Sequence, residues 1–109
     1  MLKKRYRLAR NYWPRDGAFF SDYLFNARVS SNSLSISRFG FVVSKKQERR
    51  AVDRNRARRV FRSVIEQHVE GFSGGIDVLF FLKNNLRLKK RQDIEKELLV
   101  FFKKSGLIK

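Results

Sequence analysis

Residues Lys45–Arg62, KKQERRAVDRNRARRVFR, hold nine basic side chains against two acidic ones, a net charge of +7 in eighteen positions. At about 100° per residue, a helix brings Arg54, Arg58 and Arg62 into one row a turn apart, with Asn55 and Arg59 beside it. Ala57, Val60, Phe61 and Val64 then share the opposite arc. The pattern predicts an amphipathic helix from about Arg50 to Val69 that buries the apolar arc and turns a strip of guanidinium groups outward. The planar guanidinium fork suits bidentate contact with phosphate oxygens, and a row spaced by about 5–6 Å can meet several phosphates of a folded polynucleotide. An ordinary solvated basic face intersperses acids, but here Glu66 is the only acid that follows on that side. The strip, together with Lys45 and Lys46, is therefore expected to bind RNA or DNA.

The flanking segments read as strands. Leu34 to Ser44 alternates Phe39, Phe41 and Val43 against Arg38, Gly40 and Val42, and Ala18 to Val29 includes a second alternation at Tyr23, Phe25, Ala27 and Val29. The turn residues Ser30 to Ser33 join them, which predicts an antiparallel pair. After the helix, Gly71, Gly74 and Gly75 lead into Ile76–Leu82, apolar on both faces as a central strand requires. A basic loop from Lys83 to Lys90 follows, then a helix from about Arg91 to Lys104 with Ile94, Leu98 and Phe101 on its apolar stripe. Its acids Asp93, Glu95 and Glu97 lie early and Lys103 and Lys104 late, matching the helix dipole. The start, residues 1–16, carries Lys3, Lys4, Arg5, Arg7 and Arg10 among aromatic residues and reads as a basic arm or a short helix. The expected architecture is an α/β two-layer sandwich in which one small sheet carries helices on one side. The basic helix should connect two parallel strands.

Composition agrees with a polyanion-binding domain. The chain has 109 residues with 26 Lys+Arg against 10 Asp+Glu, a net charge of +16, and a pI near 11.2. Such a field draws in polyanions. With 42% hydrophobic residues and 11 Phe it can bury a single core, unlike a disordered basic tail. There is no Cys, which excludes disulfides and thiolate metal sites and makes a reducing cytoplasm the natural compartment. No apolar run of secretory or membrane-spanning length is expected, and no membrane partner.

FGFVVSKK (Phe39–Lys46) followed by AVDRNRARRVFR (Ala51–Arg62) resembles the signature of the protein subunit of bacterial ribonuclease P. Arg54-Asn55-Arg56, with Arg58 and Arg59 after it, is the specific part, and the resemblance covers roughly Arg38 to Gly106. It implies an α-β-β-β-α-β-α order around a small mixed sheet of about four strands. It also implies a left-handed crossover at the basic helix, where the general preference is right-handed. It further implies that a catalytic RNA subunit, with magnesium ions, removes the 5′ leader of precursor tRNA while the protein binds that RNA and the leader. The chain departs from the family at Gln47-Glu48-Arg49-Arg50, where a shorter turn with Gly is usual, and where Pro14, Asp16 and Gly17 interrupt the first helix.

The residues give the same division of labour. The ten acids are scattered rather than clustered for two metal ions, so no cofactor is expected on the chain itself. His68 falls on the apolar arc and reads as a core or boundary histidine rather than a general base. Two RNA surfaces are expected. Lys45, Lys46, Arg54, Asn55, Arg56, Arg58, Arg59 and Arg62 are assigned to the RNA subunit. Tyr12, Trp13, Phe19, Phe20, Tyr23 and Phe25 are candidates for an aromatic sheet face on which leader bases stack. Lys83, Arg87, Lys89, Lys90 and Arg91 could guide precursor tRNA or serve only solubility. A ribosomal or ribosome-assembly protein would share the charge and size. A DNA-binding helix-turn-helix fits poorly, because strands flank the basic helix on both sides.

Overall fold

A computed structural model describes residues 4–8, 17–43, 50–83 and 89–108. Among these residues lie four strands, β1 (Ala18–Ser21), β2 (Phe25–Ser31), β3 (Arg38–Val43) and β4 (Ile76–Leu82), and two α-helices, α1 (Ala51–His68) and α2 (Arg91–Lys104). The sheet order is β1-β2-β4-β3. β1 and β4 both run antiparallel to β2, and β3 runs parallel to β4. The unit β3-α1-β4 is thus a parallel crossover between neighbouring strands, and order and crossover agree with the architecture that the resemblance implies.

The observed bounds follow local chemistry. β4 coincides with the expected Ile76–Leu82, and it is central because its side chains are buried on both faces. α2 begins where the Asp93 carboxylate accepts the Lys90 backbone N–H at 3.3 Å, closing the first turn. α1 ends at His68 and tightens into a 3₁₀ turn, Val69–Gly71. At Gly74 a Cβ would lie 2.0 Å from the Ser35 carbonyl oxygen, so only glycine lets the chain pass the 32–37 loop before entering β4.

Two expectations about the strands are corrected. The alternation through Tyr23 does not continue a single strand. Asp22 accepts the Leu24 N–H on its side chain at 3.3 Å, while its own N–H donates to the Phe25 carbonyl at 2.8 Å, which folds the segment into a tight hairpin between β1 and β2. β2 and β3 run in opposite directions, as expected, but they are not neighbours, because β4 is inserted between them. At the amino end, the only helical piece among the described residues is one 3₁₀ turn, Lys4–Tyr6. Arg7 then bridges Phe39 in parallel register and the Leu8 N–H donates to the Phe39 carbonyl at 2.8 Å, so the segment lies along the outer edge of β3.

Register divides the sheet into two faces. Phe20, Ala27, Phe80 and Phe41 form one row across the strands, and Phe25, Leu82 and Val43 form the next on the same side. Both helices cover this face. Phe61 of α1 sits edge-on to Phe25, Phe41 and Phe80, and Phe101 of α2 sits edge-on to Phe20, Phe25 and Phe80. Edge-to-face packing of this kind adds about 0.5–1.5 kcal/mol per pair beyond area burial. The opposite face has no helix among the described residues.

Candidate nucleic-acid interface

The faces of α1 separate much as the helical wheel requires. Ala57, Phe61, Val64 and Ile65 are buried, whereas Val52, Asn55 and Arg59 are exposed. The most outward line is therefore Val52, Asn55 and Arg59. Arg54, Arg58 and Arg62 lie half-buried on its flank rather than on the crest. Arg58 donates to the Asn55 side-chain oxygen at 3.4 Å, which holds the two polar groups of adjacent turns together. Arg56 takes a different part, since its guanidinium donates to the Lys89 carbonyl at 3.1 Å and ties α1 to the approach of α2. Lys45 and Lys46 lie outside the described residues.

The candidate aromatic residues do not share one face. Phe25 is 1% exposed at the centre of the phenylalanine cluster, so no surface of its ring is left for a base. Phe20, one residue beyond Phe19, is half-buried with its ring 5.5 Å from Phe101. Those two assignments are corrected: both belong to the helix-covered side, where burial rather than stacking explains an aromatic residue. Phe19 points the other way and is 57% exposed. Tyr23, at the hairpin tip, is 51% exposed, and the Lys89 ammonium lies 5.4 Å from its ring centre. Tyr12 and Trp13 lie outside the described residues.

Register also brings forward residues that the sequence did not single out. Phe19 pairs with Arg28, Arg28 with Leu79, and Leu79 with Gly40, giving one row across the face that no described helix covers, exposed at Phe19 and buried at Leu79. Asn26, Phe81 and Val42 form the next row. Leu8 of the amino-terminal segment closes over this face, because a Cβ on Gly40 would lie 3.2 Å from the Leu8 side chain. A cation beside an exposed aromatic ring, here Arg28 beside Phe19, is the composition of a single-strand platform. The signal was present, since Arg28 and Phe81 alternate with core residues, but only strand pairing places them side by side.

Polar groups at the margins are largely structural. Arg38 grips the fully buried Asp77 with two hydrogen bonds of 2.9 and 2.8 Å, and the Asn32 amide adds a third at 2.7 Å. Lys83 donates to the Asp22 carbonyl and Arg91 to the Ser63 hydroxyl at 2.7 Å, so two cations of the basic loop region serve the fold. Lys90 is exposed at the start of α2, and Arg87 lies outside the described residues. His68 is half-buried, 5.9 Å from the Phe102 ring and 3.7 Å from the Glu95 carboxylate, as a boundary histidine should be. Among the described residues no cluster of three or more His, Asp or Glu could hold a metal ion. No helix among them is long and apolar enough to cross a membrane.

Comparison with known proteins matches this arrangement. The family model described as Ribonuclease P matches residues 2–106. The ribonuclease P protein component of Fusobacterium nucleatum is 34% identical over 106 residues, covering 91% of each chain. That of Pelotomaculum thermopropionicum is 38% identical over 76 residues, 70% of this chain and 67% of the relative. In three dimensions, a Staphylococcus aureus RNase P protein mutant superimposes with a TM-score of 0.85 at 22% identity, covering 96% of this chain and 92% of that one. The RNase P protein of Thermotoga maritima gives 0.74 at 21% identity over 83% and 84%. With an Arg-Asn-Arg helix set between parallel strands and a family match that runs almost from end to end, the chain belongs to the ribonuclease P protein family.

Proposed function

We propose that this chain binds the catalytic RNA subunit of ribonuclease P through the outward side of α1 and receives the 5′ leader of precursor tRNA on the uncovered face of the sheet. Cleavage, and the magnesium ions that assist it, belong to the RNA. The observation that carries this reading is the family match over residues 2–106.

Three features support it. The α1 ridge presents Asn55 and Arg59 with Arg54, Arg58 and Arg62 on its flank, a surface for phosphate rather than for base edges. The uncovered sheet face places exposed Phe19 beside Arg28, so a base and its phosphate could be met together. Three of the described acids serve the fold: Asp77 pairs with Arg38, Asp53 with Arg50 at 3.5 Å, and Asp93 closes the start of α2. The clustered carboxylates that a protein two-metal nuclease needs are not met among the described residues.

Reconstitution tests the reading. The purified chain alone should leave precursor tRNA intact, and addition of its RNA subunit should give cleavage at the 5′ end at a magnesium concentration where the RNA alone is slow. Cleavage by RNA-free protein that one carboxylate substitution abolishes would overturn it.

A further inference from the structure

β2 begins, and β3 and β4 end, at the same end of the sheet, where Phe25 pairs with Leu82 and Leu82 with Val43. The β1–β2 hairpin tip, the early part of α1 and the start of α2 meet there. Tyr23 occupies the tip and is 51% exposed; it and Phe19 are the two aromatic rings among the large exposed apolar side chains of the described residues. The tip is firmly mounted. Lys83 holds it twice, since its backbone N–H donates to the Leu24 carbonyl at 3.0 Å and its ammonium to the Asp22 carbonyl. Lys89 places its ammonium 5.4 Å from the centre of the Tyr23 ring, and its own carbonyl accepts from Arg56 of α1 at 3.1 Å. Tyr23 therefore lies toward the helices, away from the uncovered face that carries Phe19. Val52, exposed one turn before Arg56, continues the patch into the outward line of α1.

A half-exposed ring gains little from burial where it stands, but a ring already fixed in place loses little freedom when a second ring stacks on it. Unpaired bases of a folded RNA offer such rings, and aromatic side chains bordered by cations receive them, whereas bases inside a duplex have no free face. Lys89 and the exposed Lys90 supply the cations beside Tyr23. We propose that Tyr23 and Lys89 form a second stacking platform, which takes an unpaired base of the RNA subunit at the margin of the α1 contact. This rests on the reading of α1 as the surface that meets the RNA subunit, because Arg56 joins Lys89 to that helix. Tyr23 then serves the RNA subunit, and Phe19, on the other side of the sheet, serves the leader. With a base on the open part of the Tyr23 ring, the Lys89 ammonium stays beside the same nucleotide, so stacking and phosphate charge act together.

Binding of the full chain to the RNA subunit alone, without tRNA, tests the platform. Tyr23→Ala should weaken binding by about tenfold, the loss of one stacked base, and leave the log–log salt slope unchanged. Tyr23→Trp, which keeps a ring, should bind as the wild type does. Lys89→Gln should lower the slope by about 0.7–0.9, the mark of one phosphate contact. In the assembled particle, Tyr23→Ala should not alter the preference for precursor over mature tRNA. A loss confined to precursor tRNA would return Tyr23 to the leader and overturn the assignment. If Arg59→Ala on α1 weakens RNA-subunit binding while Tyr23→Ala does not, the platform alone is overturned; if neither does, the reading of α1 falls and the platform with it. Ultraviolet crosslinking of the wild-type chain to the RNA subunit depends on no variant. It should leave a nucleotide adduct on Tyr23, and adducts found only elsewhere would overturn the platform.

Discussion

Phe19 and Phe20 are adjacent in β1, yet one is 57% exposed on the uncovered face and the other packs against Phe101 under α2. The same opposition runs across the whole sheet. One face carries Phe20, Phe25, Phe41 and Phe80 beneath two helices, and the other carries Phe19, Arg28, Phe81 and Asn26 with no helix over it among the described residues. Residue type does not distinguish the two sets of phenylalanines, because both are aromatic residues in strands. Register does, since a shift of one residue exchanges the faces. In a domain with 11 Phe, the chemistry available to RNA is therefore fixed by strand pairing rather than by aromatic content.

The largest effects should come from the covered face. Phe25→Ala removes a ring that touches Phe61, Phe80 and Phe101, and should cost about 3–5 kcal/mol in urea unfolding. Phe19→Ala should change the same midpoint by no more than about 0.5 kcal/mol, as expected of a surface position. Comparable losses in both variants would remove the distinction between the faces.

Asp77 sharpens the comparison, because it lies on the uncovered side and is nonetheless fully buried under Arg38 and Asn32. Asp77→Ala leaves Arg38 able to swing partly into solvent, so the loss should fall near the lower end of the about 3–5 kcal/mol found when a buried pair is broken. A neutral result would show that the ion pair does not anchor this end of the sheet.

On α1 the expected effect is on binding rather than stability. Arg59→Ala, at an exposed position, should leave unfolding unchanged and lower the log–log salt slope for RNA-subunit binding by about 0.7–0.9 if one phosphate contact is lost. Arg56→Ala should also weaken the link to Lys89, which would separate the two arginines in a thermal melt. An unchanged slope in Arg59→Ala would place the RNA subunit on another surface.

The smallest effect is a pH dependence at the hairpin. The hydrogen bond that protonated Glu97 donates to the Asp22 carboxylate, then burial, then the Asp22 charge raise the Glu97 pKa above its ordinary 4.5, against the pull of Lys96 and Lys104. Protonated Glu97 is thus favoured in the folded chain. Its contribution is complete below the ordinary value and is lost as pH rises through the raised one. Glu97→Gln should flatten this slight decline in stability, measured as urea midpoints from about pH 4 to pH 7, and a steeper decline would contradict the assignment.

The sequence made α1, β4 and α2 legible almost to the residue, because the two helices each have one strong periodicity and β4 is a short apolar run set off by glycines. The neighbours of β4 were not legible. Insertion of β4 between β2 and β3 is a long-range choice, and the 32–37 loop between β2 and β3 fits either arrangement. Tyr23 misled for a local reason, since its spacing from Phe25 continues a strand alternation while Asp22 folds the backbone into a hairpin. Of the candidate site, the arginine strip was visible from helical spacing alone. Arg28 and Phe81 were not, because their relevance comes only from pairing with distant strands.

The most direct test of the account is the affinity of the assembled particle for precursor tRNA and for mature tRNA, with wild-type chain and with Phe19→Ala, beside a thermal melt of each protein. A stacked base contributes about 1–3 kcal/mol, so Phe19→Ala should weaken precursor binding by about tenfold or more. It should leave mature tRNA, which lacks the leader, and the melting temperature unchanged. Equal losses for both tRNAs, or no loss for either, would contradict the assignment of the uncovered sheet face to the leader.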